Sequence, residues 1–503
     1  MANTRKKYLI VAAISIWMLF ANVARSAPAN PKVIHLLNRL SLGIGTGDIY
    51  RVQSLGIDKY IQQQLNPDTI AEPAILTDKL ANLETINLSP VELFQRYNPN
   101  RQVNGQQPTQ AVRKVQQQQA KQVTNEAIEA RLWRSIYSQR QLQEVMVDFW
   151  YNHFNVYADK GIDRLWVGAY EREAIRPNAL GKFRNLLGAT ARHPAMLFYL
   201  DNWQNSAPNA NKKGRFKGLN ENYARELMEL HTLGVDGGYK QDDIVALAQI
   251  FTGWGFKQPG QKISDGYSFQ FNTDRHDFSN KLFLKQSITG SGVAEGDRAL
   301  DILSKHPSTA RQISFKLAQY FVADNPPKSL IDKLSKRFIA TDGDIKLVLA
   351  TLFDSPEFWN SKYYGKKFKT PYQYAISSIR STGMEVNNVK PLNDFLKQLG
   401  MSIYGCPTPN GYKNTQEAWL NPDSMTRRIN YATNLANGKL PISASITTAA
   451  NTIPATQMVK IDPVALANTL GNNFSTRTQK AISSSSSEIR SALILGSPEF
   501  MSK

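Results

Sequence analysis

Cysteine is nearly absent: Cys406 is the only one in 503 residues, so no intrachain disulfide can form even in an oxidising compartment. Stability has to come from packing, and nothing beside Cys406 in sequence marks it as an activated thiol. After Phe20 no stretch is long and apolar enough to span a bilayer. Histidine is sparse, six in all, and none stands in a His-x-x-x-His or Glu-x-x-His spacing, which excludes a metal motif contained in one helix. Acidic residues are outnumbered, 41 Asp and Glu against 60 Lys and Arg, leaving a formal charge of +19.

What is present is a chain with 42% hydrophobic and 10% aromatic residues, long enough to bury a large core and to form two or more domains. At its start, Arg5, Lys6 and Lys7 precede the apolar run Tyr8–Phe20, and Ala24, Ser26 and Ala27 follow. That order reads as a secretory signal peptide over residues 1–26, with an uncleaved anchor as the alternative. Cleavage removes four positive charges (Arg5, Lys6, Lys7, Arg25) and leaves +15, still strongly basic. In an exported, periplasmic or extracellular protein this balance points less to nucleic acid than to an anionic envelope component such as acidic polysaccharide; solubility is the plainer account.

Ionisable chemistry concentrates in Leu219–Gly234. Asn220 can cap a helix and Gly234 can end it, giving about 13 residues. At 100° per residue, Asn222, Glu226 and Glu229 share a stripe with Arg225 at its edge, while His231 projects to the opposite side. Two carboxylates beside a guanidinium suit acid–base work, or they form a solvated face with an Arg225/Glu229 pair.

The remainder reads as mainly α, a multi-helical protein with one short β-hairpin. A main helical domain runs over 27–360, with a Gln-rich insertion at 98–125 that is either mobile or an exposed helix. A C-terminal helical unit covers 361–503. The boundary is set by an echo of Ser355-Pro356-Glu357-Phe358 in Ser497-Pro498-Glu499-Phe500. Asn152 and His153 close an aromatic helix end, Phe149–Phe154. Lys212, Lys213 and Arg215 lie on a basic loop leading into the Glu/Arg helix, and His306 shapes the start of a helix that carries Lys316. The strand candidates Tyr267–Phe271 and Lys281–Leu284 make the hairpin, with His276 and Asp277 in its connection. All six histidines fall inside motif-like segments, which suggests a shared pocket.

Asn220–Gly234, followed by Gly238-Tyr239 and Thr252-Gly253-Trp254, resembles the hallmark segment of the bacterial family "domain of unknown function 1800". Phe149–Phe154, Ile175-Arg176-Pro177, Arg192–Met196, His276-Asp277, His306-Pro307 and Trp419–Pro422 fit the same family in the same order. The resemblance implies a secreted, mainly helical bacterial protein, often encoded beside an exported protein similar to the sulfatase and alkaline phosphatase superfamily. It implies no reaction.

Two readings follow. In the first, a pocket acts on or binds an envelope glycan. Its catalytic candidates are Glu226, Glu229, Arg225, His276 and Asp277, and its binding candidates are Asn222, His153, Asn152, His231, Lys212, Lys213 and Arg215. Carboxylates one turn apart are too close for an inverting glycosidase pair without a partner from elsewhere. A divalent metal recruiting His153 or His276 to the Glu226/Glu229 face is a variant of this reading. In the second, the protein is a non-catalytic envelope or secretion partner, and the same cluster is a polar network that orders helices.

Overall fold

A computed structural model describes residues 28–100, 108–208, 210, 218–257, 268–443 and 460–503. Residues 1–26 and the loop residues Lys212, Lys213 and Arg215 lie outside that set. The fold is mainly α, and the strands among the described residues form two antiparallel two-stranded ladders.

The expected single hairpin is corrected in its pairing. Phe269–Phe271 pairs with Trp254–Phe256, and Lys281–Phe283 pairs with Gln286–Ile288. Two local turns decide this. Gly253, at φ 79°, lies three residues beyond the helix Gln241–Ile250 and turns the chain into Trp254–Phe256. Leu284 and Lys285, at φ 48° and 64°, make a two-residue reversal that closes the second ladder on itself.

Helix starts repeat one device: a side chain that accepts a backbone N–H, followed by proline at the first helical position, where its missing N–H is not needed. Asn30-Pro31, Ser89-Pro90, Thr370-Pro371, Asn421-Pro422, Asp462-Pro463 and Ser497-Pro498 are built this way. His193-Pro194 and His306-Pro307 do the same with an imidazole, Nδ1 accepting from Ala195 N at 3.2 Å and from Ser308 N at 3.1 Å. The Ser-Pro-Glu-Phe echo is a matched local structure. Ser355 and Ser497 each donate to the carbonyl three residues back (2.6 and 2.8 Å) and accept from the Phe N–H three residues on (3.2 and 3.1 Å).

Residues 110–125 form the first half of the helix Gln110–Tyr137. Gln116, Ala120, Val123 and Ala127 bury one face at helical spacing while Gln117 and Gln118 face solvent.

The hydrophobic core runs without a break from Leu36 and Leu37 to Phe500 and Met501. It crosses residue 360 at several points: Arg39 Nη2 donates to Tyr363 O at 2.8 Å, Arg380 Nη1 to Ile136 O at 2.7 Å, and the Tyr404 hydroxyl to Glu171 at 2.9 Å.

At the centre, Arg131 of the long helix donates to Asp148 of the helix Gln141–His153 (2.7 Å) and to Glu171 (3.1 Å). Its guanidinium carbon stands 5.1, 5.3 and 5.4 Å from the ring centres of Tyr151, Tyr372 and Tyr404. Arg176 joins Glu171 (3.1 Å) to Glu144 (2.5 and 3.0 Å). Glu171 opens a π-helical turn, Glu171–Ile175. Burial pushes its carboxyl up, but the surrounding Arg131, Arg176 and Arg134 outweigh this and hold it below the usual carboxylate range.

Truncating one partner of such a buried network strands the other charges. Arg131→Met is therefore expected to lower unfolding free energy by about 3–5 kcal/mol in urea denaturation, whereas Arg311→Ala, which breaks the exposed pair with Asp332, should leave the midpoint nearly unchanged. Equal effects of the two would show that the Arg131 network does not hold the core.

Candidate functional site

The Glu/Arg segment folds as a helix in two registers. Asn222–Glu226 is α-helical, and Leu227–His231 continues as a π-helical turn. Asn220 Oδ1 accepts from Asn222 N at 3.0 Å, and Gly234, at φ 86°, ends the segment. The i→i+5 bonding of a π turn rotates the chain less per residue than 100°, so the regular stripe expected from α geometry spreads out. Arg225 pairs with Glu221 at 3.0 Å and with Glu229 at 3.5 Å, and Gln241 donates to Glu221 at 2.8 Å. Tyr239 adjoins this array, its hydroxyl pushed up to about 12 by burial and then by the Glu229 carboxylate. Glu226 is half-buried and its carboxyl is raised by burial and then by Glu229, against Arg225. Asn222 donates to Leu200 O at 3.2 Å, a structural tether.

The inward side of the same turn leads elsewhere. His231 is buried at 1% exposure, and its two ring nitrogens have no hydrogen-bond partner among the described residues. Its backbone carbonyl faces His153 Nε2 at 3.1 Å. A carbonyl only accepts, so the His153 proton is fixed on Nε2, and Nδ1 is left to accept from Lys316 Nζ at 3.1 Å. The His153 ring is held among Phe149, Trp150, Phe154 and His231, with centroids at 6.4, 5.5, 4.6 and 6.0 Å. Burial, then Lys316 and His231, keep its pKa well below the usual histidine value. Lys316 also lies 3.5 Å from Leu230 O and makes no ion pair among the described residues. Burial draws its ammonium down to about 8.

Lys316 and His153 open onto a cleft of about 170 Å³, whose wall includes Asp148, Asn152, Gln319, Tyr320, Asn410, Tyr412 and Lys413. The far wall is a loop strapped down by two asparagines of the aromatic motif. Asn152 donates to Tyr412 O at 2.8 Å and accepts from Tyr412 N at 2.7 Å. Asn155 donates to Cys406 O and Thr408 O, both at 2.9 Å. Gly411, at φ 69°, passes so close that a Cβ there would stand 2.1 Å from Asn152 O.

Of the residues singled out by sequence, the structure brings Asn152, His153 and His231 together and adds Lys316. Glu226 and Glu229 do not line this cleft. His276 and Asp277 belong to another cluster: His276 Nε2 bonds Glu295 at 2.8 Å and its Nδ1 lies 2.9 Å from Thr252 O, while Lys281 bonds Glu295 at 2.7 Å. Asp277 turns back on Ser279, Oδ1 accepting from its N at 2.9 Å and its Oγ at 2.6 Å. The six histidines do not share one pocket. His193 and His306 cap helices, and His35 stacks on Tyr364 at 4.2 Å. Among the described residues no group of three or more His, Cys, Asp or Glu side chains converges as metal ligands would. Lys316, Asn155, Tyr320 and the 410–413 loop were not singled out by sequence as site residues. All but Asn155, three residues on from Asn152, lie far along the chain from it, and only the proline- and glycine-rich turn at 407–412 carries a local signal.

A family model described as "Protein of unknown function (DUF1800)" matches residues 35–502. No curated protein and no solved structure matches the chain.

Two outcomes follow from this geometry. Gly411→Ala should destabilise by about 1–3 kcal/mol through backbone strain and the collision with Asn152, read as a lower thermal midpoint; a neutral or stabilising result would mean the loop is not held as described. His231 is pushed down to about 3 by burial and then by Lys316. The unfolded chain therefore binds this proton first, and stability falls as pH drops through 6.5 toward 3. His231→Gln should show a shallower loss of urea midpoint between pH 6.5 and 5 than the parent, and an identical slope would remove His231 as a cause.

Proposed function

The chain belongs to the DUF1800 family, proteins of unknown function, and from that premise we propose that it binds an anionic, hydroxylated ligand of the acidic-sugar class in the Lys316/His153 cleft. The observation that carries this is an ammonium group lining a cavity whose carboxylate, Asp148, is already paired with Arg131 at 2.7 Å. Elsewhere in the fold Lys281 and Lys367 are matched by Glu295 and Asp324. An uncompensated cation in a partly desolvated wall is a site for an anion. The amide and hydroxyl groups of Asn152, Gln319, Asn410 and Tyr412 around it suit the hydroxyls of a sugar. A space of about 170 Å³ is below the ~300–1,000 Å³ of sites for drug-sized ligands, so it takes one sugar-sized unit rather than a chain.

Binding rather than hydrolysis is supported by the Glu/Arg helix. Its Glu221, Arg225 and Glu229 pair with one another and with Gln241 of the following helix at the surface instead of facing the cleft. The second reading, a non-catalytic partner of an exported sulfatase- or phosphatase-like protein, draws on the same paired array as a structural element. Export, with action on an anionic envelope polysaccharide, is part of the proposal and rests on the N-terminal pattern and the basic balance. No helix among the described residues is long and apolar enough to cross a membrane.

Galacturonate should raise the thermal midpoint at pH 7 while galactose does not, and Lys316→Met should abolish that shift with the circular dichroism spectrum unchanged. The effect should fade as pH rises past about 8, where Lys316 loses its proton. Equal responses to the two sugars, or an undiminished shift in Lys316→Met, would refute this reading.

A further inference from the structure

We infer that Lys316 is a nucleophilic amine that condenses with the carbonyl carbon of a small aldehyde or ketone entering the cleft. The inference rests on this cleft being the ligand site but does not need the ligand to be an anion.

Lysines buried in this fold are otherwise engaged. Lys281 is bound by Glu295 at 2.7 Å and Lys367 by Asp324 at 2.5 Å. Lys369 donates to Ser377 Oγ at 3.2 Å and lies 4.1 Å from the Phe500 ring centre. Lys503 Nζ lies 4.4 Å from the Tyr320 ring centre. Each of these is tied by an anion or packed inside the core, and none of the four lines the cleft. Lys316 does line it, and its partners His153 Nδ1 and Leu230 O only accept. A lysine nucleophile needs an amine that can shed its proton, and desolvation without a carboxylate partner is how proteins arrange that. The lowering of Lys316 to about 8 by burial agrees with this independently of the geometry.

The second component is the proton acceptor. His153 presents a lone pair on Nδ1 directly to Nζ, because its Nε2–H is committed to the His231 carbonyl and the ring is wedged among aromatic side chains. In the forward step the Lys316 ammonium gives a proton to Nδ1. The freed nitrogen lone pair attacks the carbonyl carbon, and the C=O π pair moves to oxygen, which takes up a proton to give a carbinolamine. The second N–H proton and the hydroxyl then leave as water, and C=N forms. The sum is amine plus carbonyl giving imine plus water, with no oxidant or reductant involved. The cavity volume of about 170 Å³ sets the size of the carbonyl compound, a small sugar aldehyde or similar oxo compound.

The test uses the full chain with glyceraldehyde and sodium cyanoborohydride at pH 7.5, followed by peptide mapping of every lysine. Reduction converts the imine to a stable secondary amine, so each adduct counts one condensation. Lys316 is expected to be labelled at least about tenfold faster than an exposed lysine such as Lys336, and to lose that excess in urea. His153→Gln, checked for native circular dichroism, should slow labelling at Lys316 severalfold while leaving Lys336 unchanged. Labelling of Lys316 no faster than Lys336 in the folded parent overturns the inference. Galacturonate binding without preferential labelling would overturn this inference alone; preferential labelling without galacturonate binding would overturn the anion reading and leave this one standing.

Discussion

The guanidinium of Arg131 is the constraint on which the rest of the fold depends. It is almost fully buried, as are its partners Asp148 and Glu171, and a charge in that position is tolerated only when its hydrogen bonds and counter-charges are supplied together. Supplying them requires five separate parts of the chain to meet: the long helix, the helix Gln141–His153, the π turn at Glu171, and the rings of Tyr372 and Tyr404. Two of those parts lie beyond residue 360, so the C-terminal third is fastened to the core by electrostatics as well as by apolar contact. Burial raises the Asp148 carboxyl against the pull of Arg131, and the same residue forms part of the cleft wall. The network that orders the helices thereby also fixes one side of the candidate site.

The cleft is the converse case. Arg131, Arg176, Lys281 and Lys367 meet carboxylates, but Lys316 meets an imidazole and a backbone carbonyl. His153 brings no counter-charge, because its ring is neutral and its Nε2–H is already bonded. The result is a cation on a cleft that is also lined with amides and hydroxyls. Rigidity comes from the aromatic residues around His153 on one side and from the asparagine straps to the 406–412 loop on the other.

Motif density in a sequence is a mixed signal, and this protein separates its components. His193-Pro194 and His306-Pro307 look like chemistry and are helix caps. Ser-Pro-Glu-Phe looks like a repeat and is one turn geometry used twice. His276 with Asp277 looks like a catalytic dyad, yet adjacent residues on extended chain diverge, and here His276 finds Glu295 while Asp277 finds Ser279. Within the Glu/Arg helix the α-helical assumption held through Glu226, then failed at a π turn that periodicity alone does not reveal.

The sequence by itself determined the helical class, the cap-and-proline helix starts and the family. All of these are set by local propensity, spacing and motif order. It also brought forward Asn152, His153 and His231, because they sit in short segments crowded with aromatic or ionisable residues. What only the tertiary structure decided was which of those groups meet and what they face. Lys316 is 163 residues from His153 in the chain, and Tyr412 is 260 residues from Asn152. No periodicity spans such separations; the contacts exist because burying Arg131 with its carboxylates and tyrosines folds the C-terminal third back over the aromatic helix end.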